Sequence, residues 1–113
     1  MKPQCSYEDF LKLHIVTGKI VEVQDFPRAR KPAYKVRVDF GPEVGERWSS
    51  MQAKEDYSPA ELTGSMVVGV VNFPPKNIAG FMSEALLLGV PAPDGSLSLL
   101  MPRRDAALGG EVH

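Results

Sequence analysis

The sequence predicts a mainly all-β fold: a small five-stranded barrel with a short N-terminal helix and a C-terminal extension. Three observations lead there. Short apolar runs rich in β-branched residues recur along the chain, separated by glycine- and proline-rich turns. The first run is long and changes phase beside a glycine, as a strand bending from one sheet into another must. One short helix is expected after the third strand, and few connections are long, an order that suits a closed barrel. At 113 residues the chain is large enough for one core and too small for two. It is therefore read as a single domain over residues 1–113, with the barrel core at about 14–101.

Ser6 and Asp9 have the spacing of a helix-start cap. A helix of about two turns should follow, with Phe10, Leu11 and Leu13 on its apolar side. His14 to Phe26 reads as the first strand, with Val16, Gly18 and Ile20 on one face and Val21 and Val23 in the opposite phase. Phe26 to Pro32 is a loop bracketed by prolines. The second strand, Ala33 to Phe40, alternates cleanly: Tyr34, Val36, Val38 and Phe40 share one face, Lys35, Arg37 and Asp39 the other. Gly41 to Gly45 is a turn, and Arg47 to Gln52 is the third strand with Trp48, Ser50 and Gln52 on one side. Lys54 to Leu62 holds a short helix and a loop, ended by Gly64. Met66 to Val71 is too short for a good helix and too apolar for an exposed strand, so it is read as a central buried strand. Asn72-Phe73-Pro74-Pro75 ends it, because proline removes backbone donors and fixes φ. Ala85 to Leu88 is a second apolar run, Gly89 to Gly95 a turn by composition, and Leu97 to Met101 a short strand. The tail from Arg103 should add one last edge strand. This order matches a five-stranded oligonucleotide/oligosaccharide-binding (OB) barrel; a β-sandwich is the alternative.

Charge and composition narrow the function. The chain is 43% hydrophobic and 24% charged, with a formal net charge of −1. A protein held to polyanions by overall charge alone would be basic. A local patch is still allowed: Arg28, Arg30, Lys31, Lys35 and Arg37 lie within ten residues that contain no acid. Solvated loops are often charged, so the patch reads either as a plain surface or as an anion site. Cys5 is the only cysteine, which rules out an intramolecular disulfide and C-x-x-C sites. No phosphate-cradling glycine motif occurs, His14 is the only internal histidine, and metal-ligand types do not cluster. Neither catalysis nor a cofactor nor a metal is expected. No stretch approaches the roughly 20 apolar residues of a membrane span. Lys12 and His14 interrupt Phe10 to Val16, so it is no signal core. A cytoplasmic protein without membrane insertion is expected.

A polar collar, Asn72, Lys76, Asn77, Ser83 and Glu84, lies between the two apolar runs near the end of the chain. Val70-Val71-Asn72-Phe73-Pro74-Pro75-Lys76, Ile78-Ala79-Gly80-Phe81 and Ser83-Glu84 carry a resemblance to a known family. So do Asp9 to Leu13, Thr17 to Ile20, Phe26 to Arg30, Asp39-Phe40-Gly41 and Ser49-Ser50. The chain resembles the CsaA secretion chaperones, part of a wider group of tRNA-binding OB domains that includes the C-terminal domain of bacterial methionyl-tRNA synthetase. That resemblance implies an OB barrel paired into a homodimer through its terminal additions. It also implies two partners, tRNA and unfolded or pre-export polypeptides. It assigns RNA contact to Asn72, Lys76, Ser83, Ser50, Gln52, Arg28, Arg30, Lys31 and Lys35. The chain departs from the family at Asn77 and Met82, positions where CsaA proteins often carry a base. Fewer cations mean fewer released counterions, and the collar becomes more apolar.

Two functions follow. As an RNA reader, the protein would meet phosphates with its basic loop and second strand, and sugars or bases with the collar. As a polypeptide-holding chaperone, it would use an apolar groove with Phe73, Phe81 and Met82, side-chain types suited to unrelated peptides. The other reading of these three is as core side chains, which suits the two phenylalanines better than a groove. A module docking through a sheet edge is a third possibility.

Overall fold

The computed structural model describes residues 1–113 and is built around a five-stranded antiparallel sheet that curls into a nearly closed barrel. The chain runs α1 (Tyr7–Leu11), β1 (Ile15–Asp25), β2 (Tyr34–Asp39), α2 (Gly41–Val44), β3 (Glu46–Met51), α3 (Pro59–Leu62) and β4 (Met66–Val70). It continues through β5 (Lys76–Ile78), β6 (Phe81–Ser83), β7 (Leu86–Leu87), β8 (Gly89–Pro91) and β9 (Leu97–Leu99). The strand order is β3-β2-β1-β4-β7, so β1 is the middle strand and pairs with β2 along one half and β4 along the other. The 66–71 run, expected to be central, is one place out from the centre; its apolarity reflects a partner on each side and the core beneath.

β1 can serve two neighbours because it bends. The register slips between Ile20 and Glu22, leaving Val21 as the extra residue of a bulge, at the phase change read from the sequence. Gly18 lies on the inward side just before the bend. A Cβ there would come within 2.7 Å of the Phe40 ring and of Val38, so the missing side chain is what lets β1 lie against that ring. The core gathers Val16, Ile20, Tyr34, Val36, Val38, Phe40, Met51, Leu62, Val67 and Val71. Each such side chain, fully removed from water, contributes about 1.5–3 kcal/mol. Leu62 of α3, a helix that lies against β1, is almost wholly buried and belongs to the core.

The free edge of β3 is closed by the segment that leads into β7. Glu84 N–H donates to the Trp48 carbonyl at 2.7 Å, and Trp48 N–H donates to Glu84 Oε1 at 3.0 Å. Ser49 Oγ donates to the Ala85 carbonyl at 2.8 Å, and Ser50 N–H reaches Ser83 Oγ at 3.3 Å. A paired edge cannot template pairing with another chain.

The remaining pieces are additions. Two hairpins, β5–β6 and β8–β9, stand outside the main sheet; the sequence reading had no hairpin at 76–83 and treated 89–91 as turn. Instead of the expected edge strand, the tail makes a single bridge, Val16 with Glu111. Thr17 attaches it: its hydroxyl donates to the Ala107 carbonyl at 2.6 Å and accepts from Gly110 N–H at 3.0 Å. Gly109 is required there, since its φ is +80° and a Cβ would lie 2.6 Å from the Phe40 carbonyl oxygen. Of the apolar side expected for α1, Leu11 is exposed and Phe10 and Leu13 are half-buried, and no residue of that helix is fully buried.

Candidate functional site

The outer face of β2 and β3 forms the floor of the site. Two-residue alternation turns Tyr34, Val36, Val38, Ser49 and Met51 inward. Lys35, Arg37, Trp48 and Ser50 take the other face, and pairing sets Lys35 beside Ser50 and Arg37 beside Trp48. Two structures border this floor. One is the β1–β2 loop. The other is the β5–β6 hairpin, whose two-residue Ala79-Gly80 turn has positive φ at both positions, +50° and +86°, the geometry of a type I′ turn.

Between loop and hairpin opens a cleft of about 500 Å³, bordered by Arg30 and Lys31 from the loop, Ser50 and Gln52 from β3 and its end, and Lys76 and Asn77 from β5. A second hollow of about 370 Å³ adjoins it, sharing Ser50, Gln52, Lys76 and Ile78 and adding Phe73, Pro74, Ser83 and Leu86. A third, also about 370 Å³, lies beside β6 between Gln24, Lys35, Trp48, Phe81, Met82 and Glu84.

The cations divide by pairing. Arg37 is held by two carboxylates, Glu22 at 2.9 Å and Glu46 at 2.6 Å, whose hydrogen bonds push its pKa further up. It is thus no free phosphate ligand, although the sequence placed it on the basic face. Arg28, Arg30, Lys31, Lys35 and Lys76 have no carboxylate partner. Arg28, Arg30, Lys31 and Lys76 are exposed, whereas Lys35 is half-buried with its ammonium 5.0 Å from the Phe26 ring and 5.1 Å from Phe81. The cationic surface has an acidic border: Glu55, Asp56 and Asp94 line a hollow beyond Lys31 and Gln52. Ser96 donates to Asp94 and holds its carboxyl below the ordinary aspartate range.

The structure thus brings Arg30, Lys31, Ser50, Gln52 and Lys76 around one cleft. Arg28 sits outside its lining, Lys35 faces the third hollow, and Ser83 borders the second while its hydroxyl serves the β3 edge. The Asn72 amide accepts from His14 N–H and donates to the Lys12 carbonyl, each at 2.8 Å, which ties the start of β1 to the end of β4 and leaves one amide N–H free. Phe73 is separated from Phe81 and Met82 by the hairpin, so the three do not line one groove. What the sequence reading missed is the hairpin itself. Its signal was Ile78-Ala79-Gly80-Phe81, a two-residue turn between apolar residues, with alanine where asparagine or glycine is usual.

A five-stranded barrel whose face is flanked by the first loop and by the segment after the fourth strand has the architecture of oligonucleotide-binding barrels. The chain belongs to the tRNA-binding domain family, whose description reads "Putative tRNA binding domain" and whose profile matches residues 15–111. Within that family it is CsaA-like. It superimposes on the CsaA chaperone of Picrophilus torridus with a TM-score of 0.92 and 43% identity, covering 97% of this chain and 100% of that one. For the CsaA chaperone of Bacillus anthracis the values are 0.91 and 40%, with 98% and 100% covered. The methionine–tRNA ligase of Pyrococcus furiosus is 43% identical over 109 residues, which are 96% of this chain but 14% of that enzyme. The chain thus spans about one seventh of the ligase's length.

Proposed function

We propose that the protein is a homodimeric tRNA-binding protein that also holds unfolded or pre-export polypeptides in the cytoplasm. One observation carries the RNA reading: three unpaired cations, Arg30, Lys31 and Lys76, converge on a cleft whose polar lining includes Ser50 and Gln52, which can bond sugars or base edges. Arg28, exposed on the same loop, adds a phosphate contact at the rim. Lys35 lies deeper, Asn72 offers its one free N–H, and Ser83 borders the adjoining hollow. The family supplies the kind of RNA, since its description names tRNA. No catalytic role is proposed.

The polypeptide reading rests on a separate feature and on the CsaA chaperones named above. In the hollow beside the cleft, Phe73 and Leu86 are 46% and 50% exposed against walls of Pro74, Ile78 and Ala85. Exposed apolar side chains that share a hollow suit a peptide's apolar residues. Phe81 and Met82 would join only if the peptide straddled the hairpin.

The test is fluorescence anisotropy against total tRNA and against a labelled unfolded polypeptide, each across a salt series. Replacing Arg30 and Lys31 together by alanine, neither of which lines the apolar hollow, should weaken tRNA binding. It should also flatten the plot of log affinity against log salt by about 0.7–0.9 per lost phosphate contact, leaving polypeptide binding unchanged. An unaltered slope would remove the cleft from the RNA site. Polypeptide binding insensitive to salt supports the second activity, and its absence would confine the protein to RNA.

A further inference from the structure

The hollow beside β6 has features that packing does not require. Trp48 and Phe81 line it with Met82, which is 47% exposed, and the two aromatic rings are only half-buried. Phe81 meets Trp48 edge-on at 6.4 Å and Phe26 at 5.4 Å. The Lys35 ammonium sits against both phenylalanine rings without any carboxylate partner, so its charge is partly desolvated and still available. The other cation nearby, Arg37, lies 6.0 Å over the Trp48 ring and is neutralised by Glu22 and Glu46. Of the remaining lining groups, Glu84 uses Oε1 to accept from Trp48 N–H, and Gln24 donates to Glu22.

This hollow also shares a wall with the cationic cleft. Phe26 lines the cleft, Phe81 lines the hollow, the two rings are in edge contact, and Lys35 reaches both. A strand whose phosphates lie along Arg30, Lys31 and Lys76 therefore has an aromatic recess for a neighbouring nucleotide.

Building on the RNA reading above, we propose that the Trp48–Phe81–Met82 hollow is a stacking subsite for one unpaired nucleotide of the bound RNA, with Lys35 meeting its phosphate. The chemistry selects that ligand. A half-exposed ring face beside the unpaired Lys35, with the Glu84 carboxylate held on the Trp48 backbone N–H, matches a base joined to one phosphate, and base–aromatic stacking tolerates any base. A base inside a duplex is already stacked and paired and cannot enter. The subsite thus favours a tRNA loop or single-stranded end over a stem.

The chain has one tryptophan, and it is in the hollow, so Trp48 fluorescence reports occupancy directly in the unmodified protein. Three probes are titrated: an unstructured single-stranded RNA, an RNA duplex of equal phosphate number, and an unfolded polypeptide free of tryptophan. Anisotropy of labelled RNA reports binding independently. Single-stranded RNA is expected to quench Trp48, while the duplex binds with little quenching. Phe81→Leu, which keeps apolar volume but removes the ring, should weaken single-strand binding about tenfold and leave the duplex unaffected. Anisotropy showing RNA bound without any Trp48 response would overturn the subsite and leave the RNA reading intact. No RNA binding by either signal would overturn both. A Trp48 response to polypeptide alone would assign the hollow to peptide side chains instead. The wild-type titration decides the matter even if Phe81→Leu does not fold.

Discussion

Glu22 accepts from Arg37 Nε at 3.1 Å and Nη2 at 2.9 Å, and also from the Gln24 side chain. Hydrogen bonds to the charged form favour it. Gln24 first and Arg37 second therefore hold the Glu22 carboxyl below the ordinary glutamate range. A folded-state pKa below the unfolded value has a definite consequence for stability. The contribution is present above the unfolded value and is lost as pH falls through the folded one. A carboxyl-detected NMR titration should find Glu22 among the last glutamates to protonate on acidification. Arg37→Ala should move its midpoint up only part of the way, because the Gln24 bond remains. An unchanged midpoint in that variant would mean that Arg37 does not hold Glu22 in solution. The same pairing explains why Arg37, alone among the basic residues of this face, has no charge to spare for RNA.

Among the elements, the β5–β6 hairpin and β3 each contribute residues to all three hollows. The hairpin is built at a local disadvantage. Ala79 is the only non-glycine residue with positive φ, +50°, a conformation that asparagine adopts more readily than alanine. Ala79→Asn should therefore stabilise the protein by roughly 1 kcal/mol and raise Tm by about 4 °C, with no change of fold. A calorimetric Tm at or below wild type would show that the turn stores no such strain. Asn77 already supports the turn, its Oδ1 accepting from Gly80 N–H at 2.9 Å. Asn77, read from the sequence as part of a ligand-facing collar, thus contributes a turn contact in this chain.

For the molecule as a whole, the most exposed apolar side chains lie on the additions to the barrel. Tyr7 and Leu11 of α1 are 67% and 59% exposed, and Met101, following β9, is 65% exposed. The helix and the tail approach the same end of β1: Asn72 holds residues 12 and 14, and Val112 N–H donates to the Ile15 carbonyl at 2.8 Å. These exposed residues support the proposal that two copies pair through the additions. Sedimentation equilibrium should give a dimer mass for the wild type and a shift toward monomer for Leu11→Glu, with far-UV circular dichroism unchanged. A monomer at every concentration would refute the dimer.

Much of the fold was legible because its signals are local. The alternation from Tyr34 to Phe40 carries its own inward face, and the phase change after Ile20 marks the bulge without reference to any partner. Proline after Asn72 ends β4 by chemistry alone, and the Asn-Phe-Pro-Pro and Ile-Ala-Gly-Phe stretches carried the family likeness. What tertiary structure decided was which side chains remain free to meet a ligand. Arg37 looks like Lys35 in the sequence, but Glu22 and Glu46 neutralise one and two phenylalanine rings hold the other. Asn72 and Ser83 look like collar ligands, yet their polar groups meet the backbone of Lys12 and His14 and the free edge of β3. Phe73 and Phe81 are near neighbours in the chain and are parted by a hairpin turn with an unfavourable alanine in it. The physical reason is common to all of these. Strand period, proline stops and bulges arise within a few residues, whereas the pairing of a charge, an amide or a ring depends on groups that only folding brings within reach.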